Sequence, residues 1–259
     1  MTDVVAAEWL KTQTARWARY ILAVMVLFVG LMGLLAWFFI ATWDRQSSDV
    51  QAHSSLGSLT DLTAWIASVC MAIFGMLSIT SEYSSGMIRT TFIAVPQRLA
   101  VLAAKALVVS VLTFVITEAA LASTEFLTAF IVGGRHIVGQ NPPSANDLVP
   151  SLAIGLSTVT FALIGLGLGA VTRSVIAGTV SLAFLWYIVP LLATHAPAPW
   201  SQWLTSLVPG ALAGELSGAG NANSVFGAAL PPWLALVVMS TYVSVSLGSA
   251  GIALNRRDA

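Results

Sequence analysis

Residues 20–43 read YILAVMVLFVGLMGLLAWFFIATW. The run carries no charge, and about 20 apolar residues in a helix span the ~30 Å hydrocarbon core of a bilayer. It is longer than the roughly 7–15-residue apolar stretch of a secretory signal, and no A-x-A-like cleavage site follows. It is therefore expected to stay in place as a transmembrane helix. Trp37, Phe38, Phe39 and Trp43 gather at its far end, where aromatic rings mark the membrane–water boundary.

Composition extends that reading to the whole chain. Of 259 residues, 57% are hydrophobic and 8% charged, against about 25% charged in soluble domains. The bilayer has to act as solvent for most of the sequence. Further apolar runs fall at about 62–80, 99–133, 148–171, 175–194 and 233–254. With the first span at about 21–42 they predict an all-α polytopic membrane protein of six helices. Its transmembrane domain covers 21–254, between an N-terminal segment 1–20 and a tail 255–259.

The connections differ in kind. Trp9, Leu10, Trp17 and Tyr20 alternate with Glu8, Lys11, Arg16 and Arg19, which suits a short helix lying among lipid headgroups; a disordered basic tail is the alternative. The third run would be ~52 Å long as one helix, more than the bilayer core. It must tilt, break or project, and the break is expected at Ala122-Ser123-Thr124-Glu125. The loop 134–147 carries the turn signal Asn141-Pro142-Pro143. Segment 195–232 is too interrupted to span, and reads as an exposed loop with one or two short interfacial or re-entrant helices.

Positive charge orients the chain. With the N-terminus inside, the inner side holds Lys11, Arg16, Arg19, Arg89, Arg98, Lys105, Arg173, Arg256 and Arg257, and the outer side only Arg45 and Arg135. Six spans then place both termini in the cytoplasm, with the plasma membrane as the expected location. The polar stretch SEYSSGMIRTTFIAVPQRLAVLAAK, 81–105, lies on that inner side between spans two and three.

Several function classes lose support. Net charge is zero, and no basic patch is dense enough to neutralise nucleic-acid phosphates. There is no G-x-x-x-x-G-K-[ST] loop, and the only lysines are Lys11 and Lys105, so the chain is not expected to be an ATP-hydrolysing enzyme. His53, His136 and His195 lack metal-ligand spacing. Cys70, the single cysteine, reads as a small buried apolar residue. Gly165, Gly167 and Gly169 have no strand–turn–helix context for a dinucleotide site. Gly165 and Gly169 instead have the small-x-x-x-small spacing of close helix packing.

Glu118 and Glu125 are costly in an apolar run, about 2.5–3.5 kcal/mol each on lenient scales if ionised in lipid. Seven residues apart, they share a helix face. They are candidates for a translocation path; the structural alternative is an interhelical hydrogen bond for Glu118 and an interfacial place for Glu125.

The polar stretch carries Glu82-Tyr83-Ser84-Ser85-Gly86, then Arg89, Pro96, Arg98 and Lys105. This resembles the permease subunits of type-two ATP-binding-cassette (ABC) exporters. They have an acidic residue and a Gly after the second span, then an Arg, a Pro-x-Arg and a Lys opening the third. Met87 stands where that family often has Thr or Ser. The six spans, the long third run and the interrupted segment before the last span are also similar to that family.

The resemblance implies a half-transporter that pairs with a second permease copy or a paralogue. Separate ABC ATPase subunits, which carry ATP and Mg, would dock from the cytoplasm. Stretch 81–98 would hold the coupling helix, with Glu82, Tyr83, Gly86, Arg89, Pro96, Arg98 and Lys105 as coupling residues. The chain itself would need no cofactor. The cargo expected from the family and the apolar spans is hydrophobic or amphipathic, such as a drug, an antibiotic or a lipid-like compound. The alternative is an ion- or proton-coupled secondary transporter using Glu118, although no internal repeat supports it. A membrane-embedded enzyme lacks a nucleophile, base or metal constellation.

Overall fold

Lipid offers no hydrogen-bond partners, so a chain this apolar has to pair its backbone internally, in helices or a closed barrel. The computed structural model describes residues 2–94, 97–135, 137, 148–197, 200–218 and 230–256. Among them there is no β-strand. Helix α1 is Thr2–Thr14, α2 Arg16–Trp43, α3 Ser48–His53, α4 Leu59–Ser85, α5 Met87–Ala94 and α6 Arg98–Val132. Next come α7 Leu148–Thr172 and α8 Val175–Ala183, which continues through a π-turn, Phe184–Ile188, into α9 Val189–Thr194. Two short helices, α10 Trp200–Leu207 and α11 Leu212–Ser217, precede α12 Pro232–Arg256. Six helices are long and apolar enough to cross a membrane: α2, α4, α6, α7, the α8–α9 rod and α12.

The bundle is built on α7, the most enclosed of the six. Its tightest neighbour is α4, and small residues set the distance. A Cβ on Gly165 would lie 2.0 Å from the Ala72 carbonyl oxygen, and one on Gly75 would lie 1.9 Å from that of Ala162. Gly169 lies against Met76 and Ile79 of the same helix. The partner of the Gly165–Gly169 face is thus α4. Hydroxyls also bridge the spans, Ser68 of α4 with Thr158 of α7 at 3.2 Å and Thr63 of α4 with Thr124 of α6 at 3.1 Å. Such bonds suit an interior without water. Large apolar side chains on the outside, among them Leu27, Phe130 and Ile176, remain exposed, as lipid-facing surface requires.

Two sequence expectations differ from the observed helices. α6 runs unbroken through Ala122-Ser123-Thr124-Glu125. None of these residues breaks a helix as Pro or Gly does; Ser123 bonds back to the Ala119 carbonyl and Thr124 is buried against Thr63. The polar stretch after the second span also begins inside a helix, since Ser81–Ser85 form the last turn of α4. Gly86 ends that helix at φ 72°, ψ 0°, a left-handed conformation cheap only for glycine. The N-terminal segment is a helix, α1, and it packs by its polar face: Glu8 and Thr12 are buried, while Leu10 is 62% exposed.

Helix ends sort into two groups. At one end lie α1, the end of α4, α5, the start of α6 and the ends of α7 and α12. At the other, Arg135 Nε and Nη2 each donate to the Asp44 carboxylate at 2.9 Å, holding the end of α6 to that of α2. There α11 packs against α7 and α12, with Leu212 and Glu215 buried and the Leu230 amide donating to Glu215 Oε2 at 3.0 Å. The described residues of segment 195–232 therefore form two short helices, of which α11 is built into the bundle.

Candidate functional site

Four charges meet where α1, α4 and α6 converge. Helical spacing puts Glu8, Lys11 and Thr12 on one face of α1, and that face meets Glu82 near the end of α4 and Lys105 two turns into α6. Lys105 Nζ donates to Glu82 Oε1 and to the Ser78 carbonyl, both at 3.0 Å, and also to Glu8 Oε2. Lys11 Nζ donates to Glu8 Oε1 at 2.7 Å, to Glu82 Oε1 at 3.1 Å and to Thr91 Oγ1 of α5 at 3.2 Å. Glu8, Glu82 and Lys105 are 2%, 6% and 5% exposed.

Two acids and two bases make the group neutral, and neutrality is what permits its burial. Burial alone would raise the Glu8 carboxyl, but the charges and hydrogen bonds of Lys105 and Lys11 outweigh it and hold the group below its ordinary value. Burial would likewise lower Lys11, and Glu8 and Glu82 reverse that, leaving its ammonium above its ordinary value. A cleft of about 310 Å³ borders the cluster, with Trp17, Ser81 and Ser85 in its wall.

The predicted coupling residues thus divide. Glu82 and Lys105 are brought together and point inward. Tyr83 lies under Arg173, whose guanidinium carbon stands 4.9 Å from the ring centre. Gly86 terminates α4. Arg98 turns to the last turn of α12 and donates to the Leu254 carbonyl, as a cation does at a helix C-terminus. Arg89 belongs to α5, its side chain outside the described atoms, and Pro96 lies outside the described residues. The helix α5 is seated by Ile88, buried against Leu102 and Leu254, while Met87, Thr90 and Ile93 face outward, Ile93 at 82% exposure.

Glu118 and Glu125 stand apart from this cluster, Glu118 ~20 Å further along α6 than Lys105. Glu118 Oε2 accepts from Ser151 Oγ of α7 at 2.7 Å, and Oε1 has no hydrogen-bond partner among the described residues. Oε1 rests in the space left by Gly155, where a Cβ would be 2.2 Å away. Glu125 is half-buried two turns on. Among the described residues, no three His, Cys, Asp or Glu side chains are grouped to hold a metal.

Sequence reasoning missed Glu8 and Lys11 as members of the site. Their signal was an acid and a base one turn apart in an otherwise aromatic-rich segment. It also missed a cavity of about 470 Å³ at the opposite end, between α4, α7, the π-turn and α11. A search of protein-family models finds no match to this chain, and no curated protein matches it.

Proposed function

We propose that this chain is the membrane-embedded permease subunit of an ABC exporter, driven by separate ATPase subunits that dock on α5. The observation that carries the reading is the linkage of a short, outward-facing helix to the buried charge cluster. Lys11 bonds Thr91 of α5 on one side and Glu8 and Glu82 on the other, and Lys105 continues the contacts into α6. A push on α5 would reach α1, α4 and α6 together. The surplus of Lys and Arg at this end of the bundle supports a cytoplasmic position for it. The Glu–Gly–Arg–Pro-x-Arg–Lys spacing supports the family assignment, and with it a partnering permease copy or paralogue.

In this reading Glu82 and Lys105 transmit rather than touch the ATPase; the contact surface is Met87, Thr90 and Ile93. Glu82→Lys would break the buried cluster, so it tests folding and docking at once. Ile93→Glu separates the two. It places a charge on an exposed position, and is expected to abolish co-purification of an ATPase from native membranes while the chain stays folded. An ATPase still captured by the variant at the wild-type level, with unchanged cargo-stimulated hydrolysis, would sink the docking claim. Transport driven by an imposed pH gradient without ATP would favour a secondary transporter acting through Glu118.

A further inference from the structure

The cavity at the end opposite α1 has a composition that selects among ligands. Its volume of about 470 Å³ falls within the range of small-molecule sites. Trp65 of α4, Phe161 of α7, and Trp186 and Tyr187 of the π-turn supply aromatic wall. Asp61 is the one charged side chain in the lining, and it makes no ion pair among the described residues. Ser157 is 4% exposed, lines the cavity, and its hydroxyl has no hydrogen bond to another described residue.

The wall depends on the irregular turn. Pro190 has no N–H to give the Trp186 carbonyl, and its ring would crowd that carbonyl in a regular helix. The chain widens by one residue before it, and the Val189 amide reaches back to Phe184. That widening sets Trp186 stacked on Phe161, ring centres 4.0 Å apart, and puts Tyr187 in the wall beside it. π-Turns occur often at functional sites.

We propose that this cavity binds an amphipathic organic cation, an apolar aromatic or alkyl body with one positive charge. Aromatic faces attract both the apolar body and the charge. Asp61 supplies the counter-charge and Ser157 an unused hydroxyl, and no cationic side chain in the lining opposes the ligand. The inference extends the permease reading by naming its cargo class.

The test uses the full chain in lipid nanodiscs with tetraphenylphosphonium as probe, followed by equilibrium dialysis and by quenching of tryptophan fluorescence. Saturable binding is expected, weakened about ten-fold or more by Asp61→Asn and weakened again by Trp186→Ala. Triphenylphosphine oxide, a neutral analogue of similar shape, is expected to displace the probe far less readily than unlabelled tetraphenylphosphonium does, and Asp44→Asn is expected to bind the probe normally. Unchanged affinity in Asp61→Asn, equal displacement by triphenylphosphine oxide, or uptake no greater than by empty nanodiscs would each overturn the proposal. No ATPase takes part in this assay, so its failure removes the cargo class and leaves docking on α5 untouched. Loss of docking with cation binding intact has the reverse meaning.

Discussion

Replacing Lys105 with Met keeps the length of the side chain and removes the cation that touches Glu8, Glu82 and the Ser78 carbonyl. Two buried carboxylates are then left with Lys11 alone, whose side chain is 30% exposed. Breaking a buried ion pair from one side costs about 3–5 kcal/mol. Because Lys11 still compensates part of the charge, the lower figure applies, and ~3 kcal/mol is about a hundred-fold change in the docking equilibrium of α1. The assay is amide hydrogen exchange in nanodiscs, read at residues 8–12. These amides should be protected in the wild type and exchange faster by about that factor in Lys105→Met. The defect should shrink as pH falls, because a carboxylate without its counter-charge can take up a proton instead. A double variant, Glu82→Gln and Lys105→Met, leaves Glu8 paired with Lys11, removes the imbalance and should recover much of the protection. Wild-type protection and an unchanged melting temperature in Lys105→Met would refute the claim that charge pairing holds α1.

The wild type should show its own pH limits. The contribution of Glu8, held below its ordinary value of 4.5, is present above 4.5 and is lost as pH falls through the lower native value. That of Lys11, raised above 10.5, is present below 10.5 and lost as pH rises through the raised value; hydrogen exchange of α1 against pH checks both. Gly165→Leu should destabilise by at least ~1–3 kcal/mol, because its Cβ would meet the Ala72 backbone rather than a yielding side chain; a thermal melt without loss would contradict the close α4–α7 approach. Glu118→Gln should melt like the wild type, since Ser151 can donate to the amide oxygen, whereas Ser151→Ala should cost ~1–3 kcal/mol by leaving Oε2 without its donor.

The six long helices were legible because lipid reduces the question to the length of apolar runs. Their ends were less so. The Ser81–Ser85 turn is polar in sequence and helical in fact, since the partners that neutralise Glu82 lie on α1 and α6, far away in sequence. Polarity alone could not distinguish a solvated loop from a buried charge with a counter-ion. The same logic hid Glu8. Its neighbours Trp9 and Leu10 suggested a helix lying among lipid headgroups, but that reading did not say that the charged side would find protein. The Gly165–Gly169 spacing announced a close contact without naming a partner; Gly75 on α4 completes it from the other side. Pro190 was the visible cause of the π-turn, yet its effect on Trp186 and Tyr187 required the third dimension. The expected break in α6 failed because a small polar residue in a helix can bond to its own backbone or to a neighbouring helix, as Ser123 and Thr124 do.

An unbroken α6 has a mechanical consequence. Its 35 residues form a rod ~52 Å long. Lys105 sits near one tip, and beyond the other Arg135 grips Asp44. Pivoted about one tip, such a rod converts a tilt of about 5° into a displacement of ~4–5 Å at the other. Had the helix broken at Ser123, the joint would have absorbed that angle. As built, α6 is a lever with no elbow, and an angular change too small to disturb the packing beside Lys105 becomes a gap of about an atom's width at the far rim.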